Sequence, residues 1–153
     1  MITPEALLEQ LNAPQTGWNH AMGLRFTAAS ADEVVASWTV GPEHLQPYGI
    51  VHGGVHCGVI EAVCSTGAAV HAMPSGASVV GLENQTSFLR AVRGGVLTVR
   101  ATPLHRGRRS QVWEATVTDE QGRAVAVGRV RLLCLEAGAA LAGQGVRIQS
   151  QND

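Results

Sequence analysis

From Gln111 to Thr118 apolar and polar side chains alternate, with Trp113, Ala115 and Val117 on one face and Glu114, Thr116 and Thr118 on the other. That period of two predicts a half-buried strand. Ser78–Val92, Val96–His105 and Ala124–Leu135 are similarly rich in Val, Thr and Leu. Breaks fall at Arg93-Gly94-Gly95, Arg106-Gly107-Arg108 and Asp119-Glu120-Gln121-Gly122, so these four strands read as an antiparallel meander. Upstream, Leu24–Ala29 and Glu33–Val40 flank Ser30-Ala31-Asp32 and read as a hairpin that Gly41-Pro42 stops. Between hairpin and meander, Gly53 to Met73 reads as a helix with Val55, Val59, Ala62, Val63, Ala69 and Val70 as apolar members. Ala, Gly, Cys and Ser make up most of the rest, so the helix has little solvated face and is expected to be buried. Pro74-Ser75-Gly76 ends it. Thr3 as N-cap, with Pro4 and Glu5 behind it, predicts a short first helix running to Leu11. One long helix cannot cover both faces of a six-stranded sheet. A sheet curled around the helix, completed by a second copy, solves the burial problem.

The chain is 153 residues long, 45% hydrophobic and 15% charged, enough for one core and too short for two. It divides into a single domain over residues 1–136 and a tail of Ala, Gly and Gln over 137–153, expected to be poorly ordered. All 11 basic residues are Arg, and 12 acidic residues bring the net charge to -1. That balance argues against a nucleic-acid or membrane-surface partner. Cys57, Cys64 and Cys134 are too few for a secreted disulfide scaffold. Met1-Ile2-Thr3-Pro4-Glu5 does not start a signal peptide, and the most apolar stretch, Val51 to Met73, is interrupted by His52, His56, Glu61 and His71. A cytoplasmic protein is expected.

Glu61 is the only carboxylate in the buried helix, set among Val59, Ile60, Ala62 and Val63. A carboxylate stripped of water suits a general base or nucleophile. Ser65 follows one turn later on the same face, where its hydroxyl could orient a water or simply back-bond to the helix. Gly53-Gly54 opens the helix, and unpaired N–H groups at such a start can polarise a carbonyl oxygen. Eight residues separate Gly53 from Glu61, which at about 1.5 Å of rise per residue is roughly 12 Å along the axis. One carbonyl cannot meet both groups from one chain. If both act on one substrate, two copies must meet with these helices antiparallel across a two-fold axis.

Gln46-x-x-Gly49-x-x-His52-Gly53-Gly54, followed by Glu61 and Ser65, resembles the hotdog-fold acyl-CoA thioesterases. The nearest branch contains the phenylacetate-pathway and 4-hydroxybenzoyl-CoA thioesterases. The match covers about Gly23 to Leu135 and implies an α+β hotdog fold, a curved antiparallel sheet wrapped around one long central helix. It further implies that the Gly53 N–H meets the thioester oxygen, with His52 shaping the turn and Gln46 orienting the thioester. Glu61 of the neighbouring subunit would attack the thioester or activate water, with Ser65 assisting. Many relatives carry Asn and Asp where this chain has Gln46 and Glu61, and the hydroxybenzoyl branch usually carries Thr in place of Ser65. The resemblance implies a homodimer or a tetramer of paired dimers, with coenzyme A as part of the substrate and no separate cofactor.

Arg106, Arg108 and Arg109 crowd one strand turn with no acidic residue among them, and Arg supplies forked donors for phosphate. Family precedent places this turn and the strand end carrying Arg90 near the coenzyme. Gly54, Arg90, Arg108, Arg109 and Ser110 are therefore the expected substrate contacts. His52 and His56 have the spacing of two metal ligands, but Gly53 sits where a zinc hydrolase would need Glu, so no metal is expected. Cys57 and Cys64 lack a fixed base and read as small core residues; Trp18, Trp38 and Trp113 read as core or subunit contacts. The expected activity is hydrolysis of an aryl- or medium-chain acyl-CoA in a pocket lined by Tyr48, Cys57, Phe88 and residues around Leu82. The alternative is a non-catalytic acyl-CoA-binding module, with a hydratase a distant third.

Overall fold

The computed structural model describes residues 2–13 and 17–146. Thr3 caps α1 (Pro4–Asn12), its hydroxyl accepting from the Ala6 N–H at 3.2 Å. The helix ends on Asn12, whose amide brackets the Phe26 backbone, donating to its O at 2.7 Å and accepting from its N–H at 2.8 Å. That clamp fastens α1 to the outermost strand, β1 (Arg25–Ala29). A single turn, α2 (Trp18–Ala21), lies between them.

β1 and β2 (Val34–Thr39) form the expected hairpin. They join β3 (Ser78–Phe88), β4 (Val96–Arg106), β5 (Ser110–Thr118) and β6 (Ala124–Leu135) in one antiparallel sheet. The order is β1-β2-β4-β5-β6-β3, which corrects the four-strand meander. Only β4-β5-β6 run as neighbours. β3 pairs with β6 at the far edge, and the chain then crosses the end of the sheet to reach β4 beside β2. Backbone bonds hold that crossing: Leu89 N–H and Arg90 N–H donate to Val125 O, and Val51 N–H donates to Val92 O. The break at Arg93-Gly94-Gly95 reads as a hairpin turn in sequence, but the strand ends at Phe88, the Leu89 and Arg90 N–H groups are spent on β6, and the Val92 carbonyl is taken by Val51.

The sheet curls around α3 (Gly53–Ala72), giving the α+β hotdog arrangement. Nine α3 residues are buried, among them Val55, Val59, Ile60, Val63 and Cys64. By length and composition α3 could span a bilayer, but this burial is that of a core helix. Trp38 and Trp113 are fully buried from the sheet side, Trp113 against Gly67, where a side chain would leave its ring no room. Trp18 instead lies half-exposed over Gly58. After β6, β7 (Ala140–Leu141) and β8 (Gln144–Gly145) form a small hairpin, so order extends into the expected tail; residues 147–153 lie outside the described chain.

Candidate active site

The loop entering α3 is held by its own polar groups. His44 is buried, its Nδ1 accepting from Gly41 N–H at 2.8 Å, so its Nε2–H donates to Met22 O at 3.0 Å. Gly49 N–H donates to Gln46 O, Gln46 N–H to Ile50 O, and the Arg93 guanidinium reaches Tyr48 O at 2.8 Å and Gly49 O at 3.1 Å. The Gln46 side-chain oxygen accepts from Tyr48 N–H, leaving its NH₂ donors without a partner among the described residues.

His52 is the N-cap of α3. Its Nδ1 accepts from Gly54 N–H at 2.8 Å and its carbonyl accepts from Val55 N–H at 2.9 Å. Gly54 is therefore spent on the cap. The Gly53 N–H has no partner among the described residues, and it sits at the positive end of a 20-residue helix. A cleft of about 320 Å³ opens beside it, lined by Gln46, Ile50, Gly53, His56, Phe88 and Arg90 among others. Phe88 packs so closely over Gly53 that an added Cβ would come within 2.5 Å of its ring. Tyr48, Cys57 and Leu82 do not border this cleft.

Glu61 lies elsewhere. It is half-buried two turns further along α3, and its Oε2 accepts from Asn84 Nδ2 at 3.1 Å. The same amide donates to Cys57 O at 2.9 Å, while Asn84 Oδ1 accepts from Thr86 Oγ1 at 2.7 Å. Glu61 Oε1 rests directly over Gly81, in space a side chain there would fill. Ser65 is half-buried with no partner among the described residues; Thr66, not Ser65, back-bonds to the helix, donating to Ala62 O at 2.8 Å.

Gln46, Gly53 and Arg90 therefore share one cleft, while Glu61 and Ser65 lie on a separate stretch of α3. Arg108 and Arg109 border a second cleft of about 330 Å³ with Ser75, past the other end of α3. Ser110 opens β5 nearby, paired with Leu133. Arg106 is not the free cation its sequence neighbours imply, because Asp32 from the β1–β2 turn pairs with it at 2.7 Å. Among the described residues no three His, Cys, Asp or Glu side chains gather around a metal-sized space. Burial, with Glu61 and Glu114 nearby, pushes the Cys64 thiol far up, which leaves it un-ionised and a poor nucleophile.

Asn84 and Gly81 are absent from the sequence reading, although each left a sign. Asn is disfavoured in strands, and a strand-interior glycine marks a bulge or close approach. β3 carries both, with a register shift between Gly81 and Glu83.

Comparison with known proteins identifies the family to which this fold belongs. The profile of the Thioesterase superfamily matches residues 48–126. A Mycobacterium tuberculosis protein named as an esterase is 46% identical over 118 residues, covering 76% of this chain and 84% of its own. Its solved structure superposes with a TM-score of 0.77, covering 78% of this chain and 96% of that one. The proofreading thioesterase EntH of Cronobacter turicensis is 37% identical, covering 80% of this chain and 90% of its own. A thioesterase structure from Haemophilus influenzae, 30% identical, has a TM-score of 0.78 over 89% of this chain and 92% of that one. With a profile matching more than half its length and relatives this similar across most of theirs, the chain belongs to the thioesterase superfamily as a thioester hydrolase with the hotdog fold.

Proposed function

We propose that this protein hydrolyses acyl-CoA thioesters with an aryl or medium-chain acyl group, working as a homodimer that pairs into a tetramer. The observation that carries the reading is the division of the site: an unpaired helix-start amide in an open cleft, and a tethered carboxylate out of its reach on the same helix. Across a two-fold axis, the Glu61 of one copy comes beside the Gly53 of the other. Gly53 N–H then polarises the thioester carbonyl and the Gln46 amide orients it, with His52 holding the turn. Glu61 either attacks the carbonyl itself, expelling the coenzyme A thiolate and leaving a mixed anhydride that water then hydrolyses, or takes a proton from a water that Ser65 helps to orient and that attacks in its place. Coenzyme A leaves as the thiol and the acyl group as a carboxylic acid.

Two further features support a second copy. β3 ends the sheet with eleven residues whose outer edge is unpaired among the described residues, and Leu82 on it is 49% exposed. Long open edges of this kind are normally covered. Arg108 and Arg109, past the far end of α3 from Gly53, can serve the same ligand as Arg90 only from a partner copy. The three free cysteines suit a reducing cytoplasm.

Release of free thiol from a panel of esters, phenylacetyl- to palmitoyl-CoA, tests the activity and its range. Glu61→Ala is expected to lower kcat by well over tenfold with an unchanged circular dichroism spectrum. Equal turnover by the variant overturns the role of Glu61. A wild type that binds the esters but releases no thiol is instead the binding module.

A further inference from the structure

Two buried side-chain atoms have no hydrogen-bond partner among the described residues, Trp38 Nε1 and His56 Nδ1. They belong to neighbouring rings, with centroids 6.3 Å apart and planes at 65°. A buried polar atom is costly to leave unpaired, so each calls for a partner that the fold itself does not supply. Both residues are almost wholly buried, His56 at 3% exposure and Trp38 at 2%.

The position of His56 says where that partner comes from. His56 is three residues past Gly53 on α3, and helical side chains lean back toward the N-terminus, so its ring lies along the turn that presents the Gly53 amide. It lines the same cleft as Gly53 and Gln46. Phe88 stands on its other side, ring centroids 6.1 Å apart, and forms an apolar wall. No charged group touches the imidazole, and burial draws its pKa down to about 4, so it is neutral with one nitrogen accepting and the other donating. The indole N–H of Trp38 is a donor only. On the cleft side, an unpaired imidazole nitrogen beside the apolar Phe88 ring matches a hydroxyl group, which can either give or take a hydrogen bond; Trp38 packs edge-on against the imidazole and is not among the residues bordering the cleft. A plain hydrocarbon chain would leave that nitrogen unpaired.

We propose that His56 selects the acyl group: the cleft favours an acyl chain carrying a hydroxyl on C3, counting the thioester carbonyl as C1. The position follows from the helix, since the Gly53 amide that holds the carbonyl oxygen and the His56 backbone are three residues, about 4.5 Å of rise, apart. The inference rests on the acyl-CoA thioesterase reading and refines it.

The test compares the 3-hydroxyacyl-CoA, as each enantiomer, with the plain acyl-CoA of whichever chain length wild type hydrolyses fastest. At least one enantiomer is expected to show about tenfold higher kcat/KM than the plain ester, the worth of one well-placed hydrogen bond. His56→Phe keeps a ring of similar size without the nitrogens and is expected to bring that ratio close to one. His56→Gln, which restores a hydrogen-bonding group, is expected to recover part of the preference. A wild-type ratio near one for both enantiomers overturns the proposal without needing any variant to fold, and means that a structural water serves these atoms. A preference that survives in His56→Phe overturns it as well. Absence of thiol release from every acyl-CoA instead sinks the thioesterase reading beneath it.

Discussion

Gly81 lies directly under the Glu61 carboxylate, and the missing side chain is what lets that carboxylate settle between the strand and Asn84. Its backbone is not in the left-handed region, so alanine is sterically acceptable to the strand itself. The clash of Gly81→Ala falls on the carboxylate, which must leave the Asn84 amide. Misplacement by an ångström is enough to cost a catalytic group much of its effect. Gly81→Ala is therefore expected to lower kcat about tenfold while the melting temperature moves by only a few degrees. Full activity in steady-state assays of that variant would mean that the carboxylate works from some other position. The contrast with Gly53 is instructive. There an added Cβ meets the outer edge of the Phe88 ring, which is 56% exposed and has room to swing. Glu61 stands out in the sequence as the one acid in an apolar helix and Gly53 as a glycine at that helix's start, whereas Gln46 is legible only through the family resemblance. Asn84, Gly81 and the unpaired His56 were harder to see. Their roles depend on which strand lies against which helix turn, and no local pattern encodes that.

At the scale of the elements, the helix and the sheet are joined by more than apolar packing. Gln111, fully buried on β5, donates from Nε2 to Ala68 O on α3 at 3.1 Å and accepts from Trp113 Nε1 at 3.0 Å. The amide thus pairs both the indole N–H and a helix carbonyl. In Gln111→Leu both would remain buried and unpaired, at a cost of about 2 kcal/mol. The expected result is a melting temperature lower by roughly 4–8 °C, read by calorimetry. No change would mean that water enters the gap. The strand spans themselves were readable to within a few residues, because alternation of Val and Thr with polar positions is a local signal. Sheet order was not. β3 and β4 are consecutive and separated by a short Gly-rich break, the usual mark of a hairpin. Yet β3 leaves α3 along the opposite edge, against β6, and only the crossing loop, tied to Val51 and Val125, reveals the route. That displaced strand places Asn84 under Glu61, so the error in topology and the omission from the site share one cause.

For the whole molecule, the decisive question is whether one active site draws on two chains. The Gly53 amide and the Glu61 carboxylate are about two turns apart on a rigid helix, roughly 12 Å of rise, and no side-chain rotation closes that gap. An antiparallel pairing of two α3 helices would close it twice, once at each end of the shared axis. Complementation measures this directly. Gly53→Val should block the amide with its side chain and Glu61→Ala removes the carboxylate, so each homodimer is expected to be inactive. If Gly53→Val proves unstable, Gln46→Ala disables the same half-site. Co-expression with two different affinity tags isolates the mixed dimer. One of its two sites carries both lesions and the other carries none, so about half of the wild-type turnover per dimer should return. A site built within a single chain would carry one lesion in every protomer, and the mixed dimer would stay as inactive as its parents. Recovery therefore requires the two groups to come from different chains, and its failure in an intact mixed dimer would dismantle the shared site.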